Sequence, residues 1–131
     1  YFRNDGTAFT EMAAAAGLDD RLWGSSLVTA DLDLDGRPDL VQTTKVHPAP
    51  GPLRLVMNRT AGDAAWIRIV PRQVQGNTQA IGARVLVQAG GHTQVRFIQA
   101  GGSFLGQEPA EGLFGLGGAD RIELVRVHWP D

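Results

Sequence analysis

The sequence predicts an all-β protein built from short strands and tight turns. Its 131 residues contain 17 glycines, about 13% against the roughly 7% of an average protein. These glycines lie between short runs of β-branched and aromatic residues rather than in a low-complexity tract. Apart from residues 10–17, no stretch has convincing helical periodicity. The length fits one ordinary domain or two small modules.

The chain begins with a predicted hairpin and a predicted short helix. Asp5-Gly6 is a strong tight-turn pair, and it stands between two short runs with strand character. Residues 10–17 predict the helix, because Thr10 can cap it and the alanines that follow are strong helix formers. Gly17 can end it in the left-handed conformation.

Strands are predicted on both sides of an acidic loop and throughout the second half. They are placed at residues 26–30, from 40 onward, and at 53–58, 66–70, 82–89, 92–100, 113–116 and 122–129. Three prolines mark residues 48–52 as a stiff loop. Gly90-Gly91 suits a two-residue type I′ or II′ hairpin turn. The character of the chain changes near residues 59–65, which divides it into segments 1–60 and 61–131.

The acidic loop is the one strong chemical motif. Asp31, Asp33, Asp35 and Asp39 place four carboxylates in nine residues, and Gly36 stands where the loop must bend sharply. So many anions repel one another unless a cation lies among them. Alternate side chains at loop positions 1, 3 and 5 can all point at one centre, which predicts a metal site.

The spacing fits a calcium loop with oxygen ligands. The backbone carbonyl of Arg37 and the side chain of Asp39 would complete the cage begun by the first three aspartates. Hard oxygen ligands in a flexible loop suit Ca²⁺ better than transition metals, and Mg²⁺ is the weaker candidate because it demands a stricter octahedron. The loop is not an EF-hand, because Gln42 stands at position 12 and the flanks predict strands. The predicted metal ligands are Asp31, Asp33, Asp35, Arg37 and Asp39, in a structural rather than catalytic site, with a solvated acidic turn as the alternative.

These residues resemble a known pair of families. Residues 31–40 look like the calcium loop of FG-GAP/VCBS repeats, the blades of integrin-α-like β-propellers, and residues 1–10 and 15–18 match the usual run of that repeat. The second half resembles the ASPIC/UnbV domain. The matching stretches there are residues 81–85, 90–96, 101–105, 113–117 and 125–130. Leu113 departs from the pattern, because relatives often have His before the Phe-Gly-Leu-Gly run.

The resemblance implies a fold and a cofactor. It implies one β-propeller-type blade with a calcium loop, residues 1–60, joined to a small antiparallel β-sandwich or barrel domain, residues 61–131. The pairing is that of cartilage acidic protein-like proteins and of proteins of enediyne pathways. The blade is expected to pack on the rest of a β-propeller in a longer parent chain or on another copy.

The resemblance also implies a function. It implies a non-catalytic calcium-binding module of a larger exported protein, extracellular or periplasmic, that serves ligand binding, adhesion or assembly. The alternative is an accessory enzyme, or a ligand-handling or self-resistance protein, of enediyne polyketide biosynthesis. Whether any enzymatic activity exists is left open.

Weaker candidates accompany the acidic loop. A hidden Ser-His-Asp triad is one alternative, but no nucleophile-elbow pattern supports it. Its members would come from Ser25, Ser26, Ser103, His47, His92 and His128. A second alternative is a basic stripe on adjacent strands that binds an anionic glycan or a small-molecule ligand. Its residues would be Arg84, Arg96 and Arg126, against the ordinary interpretation of solvent-facing charge.

Composition excludes several classes of protein. The formal net charge of −2, from 12 basic and 14 acidic residues, lacks the clustered positive field of general nucleic-acid binding. No run approaches the roughly 18 apolar residues of a membrane span. The absence of Cys excludes disulfides, zinc-thiolate sites and Cys nucleophiles. Four of the 14 acidic residues lie in one loop, so the remaining 10 face 12 basic residues, which leaves room for an anionic ligand.

Overall fold

The computed structural model describes residues 1–19, 22–46 and 49–130, which contain ten β-strands in four antiparallel sheets. The strands are β1 Phe2–Asn4, β2 Phe9–Glu11, β3 Trp23–Ala30, β4 Asp39–Val46, β5 Ala49–Val56, β6 Ala65–Ile69, β7 Arg84–Ala89, β8 His92–Phe97, β9 Gly112–Gly117 and β10 Ile122–His128. The all-β prediction is confirmed. Across these residues no helix is long and apolar enough to cross a membrane.

Strand order separates the sheets of the two halves. In the first half β1 pairs with β2, and β3, β4 and β5 form a meander in that order. In the second half β6 pairs with β9, while β7 lies between β10 and β8. Gly90 and Gly91, with φ of 55° and 76°, make the two-residue turn between β7 and β8, as the sequence predicts. The described strands leave every sheet open, so the expected sandwich or barrel is not a closed barrel.

The helix predicted at residues 10–17 is wrong. Thr10 and Glu11 pair with β1 instead, which removes the cap and the first turn of that helix. The residues that follow form a single hydrogen-bonded turn, which ends at Gly17 with a left-handed φ of 69°. The first turn of a helix has an unfavourable conformational entropy, which only the hydrogen bonds of further turns offset. Helix propensity alone therefore does not extend a single turn into a helix.

The stiff loop predicted at residues 48–52 is also wrong within the residues that the structure describes. β5 already includes Pro50 and Pro52. This strand forms one edge of the β3-β4-β5 sheet, and an edge strand tolerates proline because one of its sides needs no ladder hydrogen bond. His47 and Pro48 lie outside the described residues.

The hydrophobic core lies in the second half, between the β6-β9 and β10-β7-β8 sheets. Its buried members are Ala80, Ala83, Val85, Val87, Ile98, Ala110 and Phe114. Phe114 is the largest fully buried side chain among the described residues. By contrast, the β3-β4-β5 sheet leaves Leu53 and Leu55 about 60% exposed (62% and 58%). Among the described residues, every buried apolar side chain of the core lies in the second half.

The free edge of β3 is covered by side chains from the second half. The backbone N–H of Leu27 donates to Ser103 Oγ at 3.0 Å. Thr29 donates to Glu108 Oε1 twice, from its hydroxyl at 2.6 Å and from its backbone N–H at 3.3 Å. These side chains thus accept hydrogen bonds from backbone N–H groups that could otherwise pair with another strand. These bonds join the two halves of the chain directly.

The Thr29–Glu108 bond is expected to couple the stability of the halves. In a double-mutant cycle with Thr29→Val and Glu108→Ala, the interaction free energy should be about 1–2 kcal/mol, because a part-buried hydroxyl donates to a carboxylate. Urea unfolding of the four proteins measures it. Glu123→Ala is the matched control, since that carboxylate accepts from Gly90 within the second half. If the free-energy losses of Thr29→Val and Glu108→Ala were additive in the double variant, this bond would not tie the halves together.

Candidate metal centre

The acidic loop connects β3 to β4 at the point where the two strands begin to pair. Ala30 and Asp39 are the last partners in their register, so residues 31–38 form the loop itself. Two residues in it adopt left-handed conformations, Leu34 with φ of 61° and Gly36 with φ of 84°. The chain reverses direction within a few residues, which brings the aspartates toward one another.

Asp31 and Asp39 form the buried base of the loop. Asp39 is fully buried and Asp31 is 8% exposed. The two oxygens of Asp31 accept the backbone N–H groups of Asp35 and Gly36, both at 3.0 Å. Those of Asp39 accept the N–H groups of Leu32 at 2.9 Å and of residue 58 at 2.7 Å. A carboxylate oxygen has two lone pairs, so each can still bind a cation.

Three of the four aspartates converge. One carboxylate oxygen from each of Asp31, Asp33 and Asp39 lies within 4.8 Å of the other two. Calcium binds oxygen at 2.3–2.6 Å, so ligands on opposite sides of one ion lie about 5 Å apart. The spacing of the three oxygens therefore fits a shared Ca²⁺, and an all-oxygen donor set is the one that this ion prefers.

Asp35 is held by Arg37 instead of joining that group. Its Oδ2 lies 2.5 Å from Arg37 Nη2, and its Oδ1 accepts the Arg37 backbone N–H at 2.9 Å. Partial burial raises the pKa of this carboxyl, but the Arg37 hydrogen bonds and the charges of Arg37 and Arg59 outweigh it, so the pKa lies below its usual value. The Arg37 side chain also donates to the carbonyl of Asn58 at 3.2 Å. Coordination by Asp35 and by the Arg37 carbonyl stays a prediction.

Arg59 is a residue of the site that the sequence analysis missed. Its Nη1 lies 2.6 Å from Asp33 Oδ2 and 3.6 Å from Asp35 Oδ2. The hydrogen bond to Asp33, and then the charges of the neighbouring aspartates, raise the pKa of the guanidinium. Arg59 follows β5, and β5 pairs with β4 so that Val56 lies opposite Leu40. This register brings position 59 to the loop, and no local sequence motif indicates that Arg59 would lie there.

The second half closes over the loop through Trp66. A Cβ atom placed on Gly36 would overlap the indole ring of Trp66. Glycine is required at this position twice over, because the backbone also has a positive φ of 84°. The loop and β6 therefore approach each other more closely than any side chain at position 36 would permit.

The predicted basic stripe is not a single surface. Arg84 lies opposite Phe97 and Arg126 opposite Leu86, whereas Arg96 lies opposite Val85. Side chains alternate between the faces of a sheet, so Arg96 belongs to the core-facing side and the other two arginines to the outer side. The guanidinium of Arg96 lies over the Phe114 ring, 5.4 Å from its centroid.

Two of the serines considered for a triad, Ser25 and Ser103, make hydrogen bonds at or near β3, and Ser26 lies on β3. Ser103 Oγ accepts the N–H of Leu27, and Ser25 Oγ lies 2.9 Å from Thr43 Oγ1. His92 and His128 are exposed on the second-half sheet, where His92 ends the Gly90-Gly91 hairpin turn. His47 lies outside the described residues.

Comparison with known proteins shows what the chain, and its second half in particular, is similar to. The chain is 33% identical over 111 residues to cartilage acidic protein 1 of Homo sapiens and, equally, to that of Mus musculus. The alignment covers 82% of this chain and 16% of each relative, so the chain spans about a sixth of the length of these curated proteins. Residues 73–131 match the family model described as ASPIC and UnbV. The ASPIC/UnbV resemblance predicted for the second half is thereby confirmed.

Proposed function

We propose that this chain is a non-catalytic calcium-binding module of a larger exported protein, where it serves ligand binding, adhesion or assembly. The observation that carries the proposal is the convergence of Asp31, Asp33 and Asp39 on a space of the size that one Ca²⁺ needs. In this interpretation the first half is an FG-GAP/VCBS-type blade and the metal is structural.

Charge balance supports a divalent cation at the loop. Four aspartates carry a formal charge of −4, and Arg37 and Arg59 return +2 through their ion pairs. The remaining charge of −2 attracts a divalent cation to the metal-free loop. When bound, the ion would supply two positive charges and fix the ends of β3 and β4 against each other. The chain's own contribution is to hold Asp31 and Asp39 in place by backbone hydrogen bonds, which reduces the ordering that metal binding requires.

The partners proposed for this module follow from its exposed first half. The sheet β3-β4-β5 leaves Leu53 and Leu55 uncovered, as expected of a blade whose neighbours belong to the rest of a β-propeller or to another copy. An extracellular or periplasmic location belongs to the same proposal. The enediyne-pathway alternative stays a prediction, which polyketide synthase genes beside the parent gene would favour.

Calcium titration after chelation tests the proposal, with Asp33→Ala as the informative variant. Asp33 is exposed, so its loss should change thermal unfolding little in chelator, where it makes a surface ion pair with Arg59. In calcium at about 100 times Kd, the loss of metal stabilisation should lower the Tm by about 5–10 °C. Isothermal titration and thermal unfolding measure both effects.

Asp5→Ala is the matched control for Asp33→Ala. Asp5 is another aspartate with an arginine partner at 2.6 Å, but it lies in the β1-β2 turn. Its replacement should change the Tm equally with and without calcium. Absence of calcium binding by the wild-type chain, together with unchanged melting, would refute the proposal. Equal losses for Asp33→Ala under both conditions would contradict a metal role for that residue.

A further inference from the structure

We infer that the guanidinium of Arg59 is a built-in counter-ion of the acidic loop, which competes with the metal for Asp33 and leaves when the metal binds. The inference rests on the calcium-binding function proposed above, and it assigns to that site a residue that sets its affinity. Calcium binding is then an exchange of one cation for another.

Arg59 is placed where a metal would have to compete with it. Its Nη1 donates to Asp33 Oδ2 at 2.6 Å, and Asp33 is one of the three aspartates whose oxygens converge. The same nitrogen lies 3.6 Å from Asp35 Oδ2. The guanidinium thus bridges Asp33, which belongs to the converging group, and Asp35, which does not. A cation shared by Asp31, Asp33 and Asp39 would lie within a few ångströms of this positive charge.

The two arginines of the site differ in how easily they can leave. The Arg59 side chain is 64% exposed, and its hydrogen bond to the loop is made to Asp33 at the surface. The Arg37 side chain is 34% exposed and is also fixed by its bond to the Asn58 carbonyl. Arg59 can therefore exchange its carboxylate partners for water at little cost, as surface ion pairs do, whereas Arg37 is anchored.

Two opposite effects follow from this arrangement. Without metal, Arg59 relieves the repulsion among the aspartates, so the loop keeps its shape. With metal, the same charge repels the incoming ion and holds Oδ2 of Asp33 by a hydrogen bond, so the affinity is lower than the carboxylates alone would give. Removal of the charge should therefore tighten calcium binding while it destabilises the metal-free loop.

Calcium titration of Arg59→Gln tests the inference directly. The Kd should fall by about 3- to 10-fold relative to the wild type, as expected from the loss of one competing surface ion pair and of the repulsion from one nearby charge. Arg3→Gln is the matched control, because it removes the same charge and an arginine–aspartate pair of the same length, 2.6 Å, from the β1-β2 hairpin. Its Kd should stay within about twofold of wild type, since its charge lies outside the acidic loop.

The side chain of Arg59 provides a second readout that does not depend on the variant's affinity. In the wild-type chain, the Nε–Hε resonance of Arg59, assigned by its absence in Arg59→Gln, should shift on calcium addition toward the position of a solvent-exposed guanidinium. The Arg3 resonance should remain where it is.

The outcomes separate this inference from the function on which it rests. If neither the wild type nor Arg59→Gln binds calcium, the proposed function is wrong and the inference falls with it. If the wild type binds but Arg59→Gln binds equally or more weakly, only the inference is overturned. An Arg59 resonance unmoved by saturating calcium would overturn it as well.

Discussion

Truncation of Phe114 to alanine is expected to lower the free energy of unfolding by about 3–5 kcal/mol. The side chain is fully buried, and it is the largest in the core between the two second-half sheets. It lies opposite Ile67 in the β6-β9 pair, and Arg96 covers its ring. Removal of the ring leaves a cavity that the surrounding strands cannot fill without moving, so both the transfer free energy and the packing are lost.

Phe97→Ala is the matched control for this prediction. It removes the same side chain from β8, but from a position that is 64% exposed. Its loss should be below about 1 kcal/mol, because little apolar surface returns to water. Urea unfolding with a common m-value measures both variants. Equal losses would mean that the core does not lie between the β6-β9 and β10-β7-β8 sheets.

The strands of the second half could be predicted because their signals are local. Short runs rich in β-branched residues mark β7 and β10, and Gly90-Gly91 specifies the turn between β7 and β8 without help from distant residues. The helix at residues 10–17 failed because two local signals overlap there. Its alanines favour a helix, but the Asp5-Gly6 hairpin extends into the same stretch and pairs Thr10 and Glu11 with β1.

The candidate site also combines residues that a local pattern predicts with residues that only the fold brings together. The sequence predicts that all four aspartates of the loop, with the Arg37 carbonyl, share a centre. Three of them, Asp31, Asp33 and Asp39, converge in the structure, whereas Asp35 pairs with Arg37. Arg59 and Trp66 reach the loop through the β4-β5 register and through the packing of β6 on Gly36. Neither contact has a signature in the sequence, because each depends on how separate segments meet in the fold. The counter-ion and the cover of the site were therefore visible only in three dimensions.

Asp39→Ala is expected to destabilise the chain by about 2–4 kcal/mol even in chelator, unlike Asp33→Ala. Asp39 is fully buried, and its two oxygens accept the backbone N–H groups of Leu32 at 2.9 Å and Asn58 at 2.7 Å. Truncation leaves both donors without this partner. An unsatisfied donor costs about 1–3 kcal/mol when buried, and these part-buried donors fall at the lower end of that range. The carboxylate also joins the loop to the segment after β5, so its loss should loosen the position of Arg59.

The contrast between the two aspartates separates support of the loop from metal binding. Urea unfolding in chelator should show a large loss for Asp39→Ala and a small one for Asp33→Ala, while calcium should stabilise neither variant as it does the wild type. Asp39→Asn refines the comparison, because it keeps one acceptor but turns an amide N–H₂ toward a backbone donor, and it should fall between alanine and wild type. If Asp39→Ala were as mild as Asp33→Ala in chelator, its carboxylate would not be what holds residues 32 and 58 together. The buried base of the loop would then have to be formed by the metal itself rather than prepared for it by the chain.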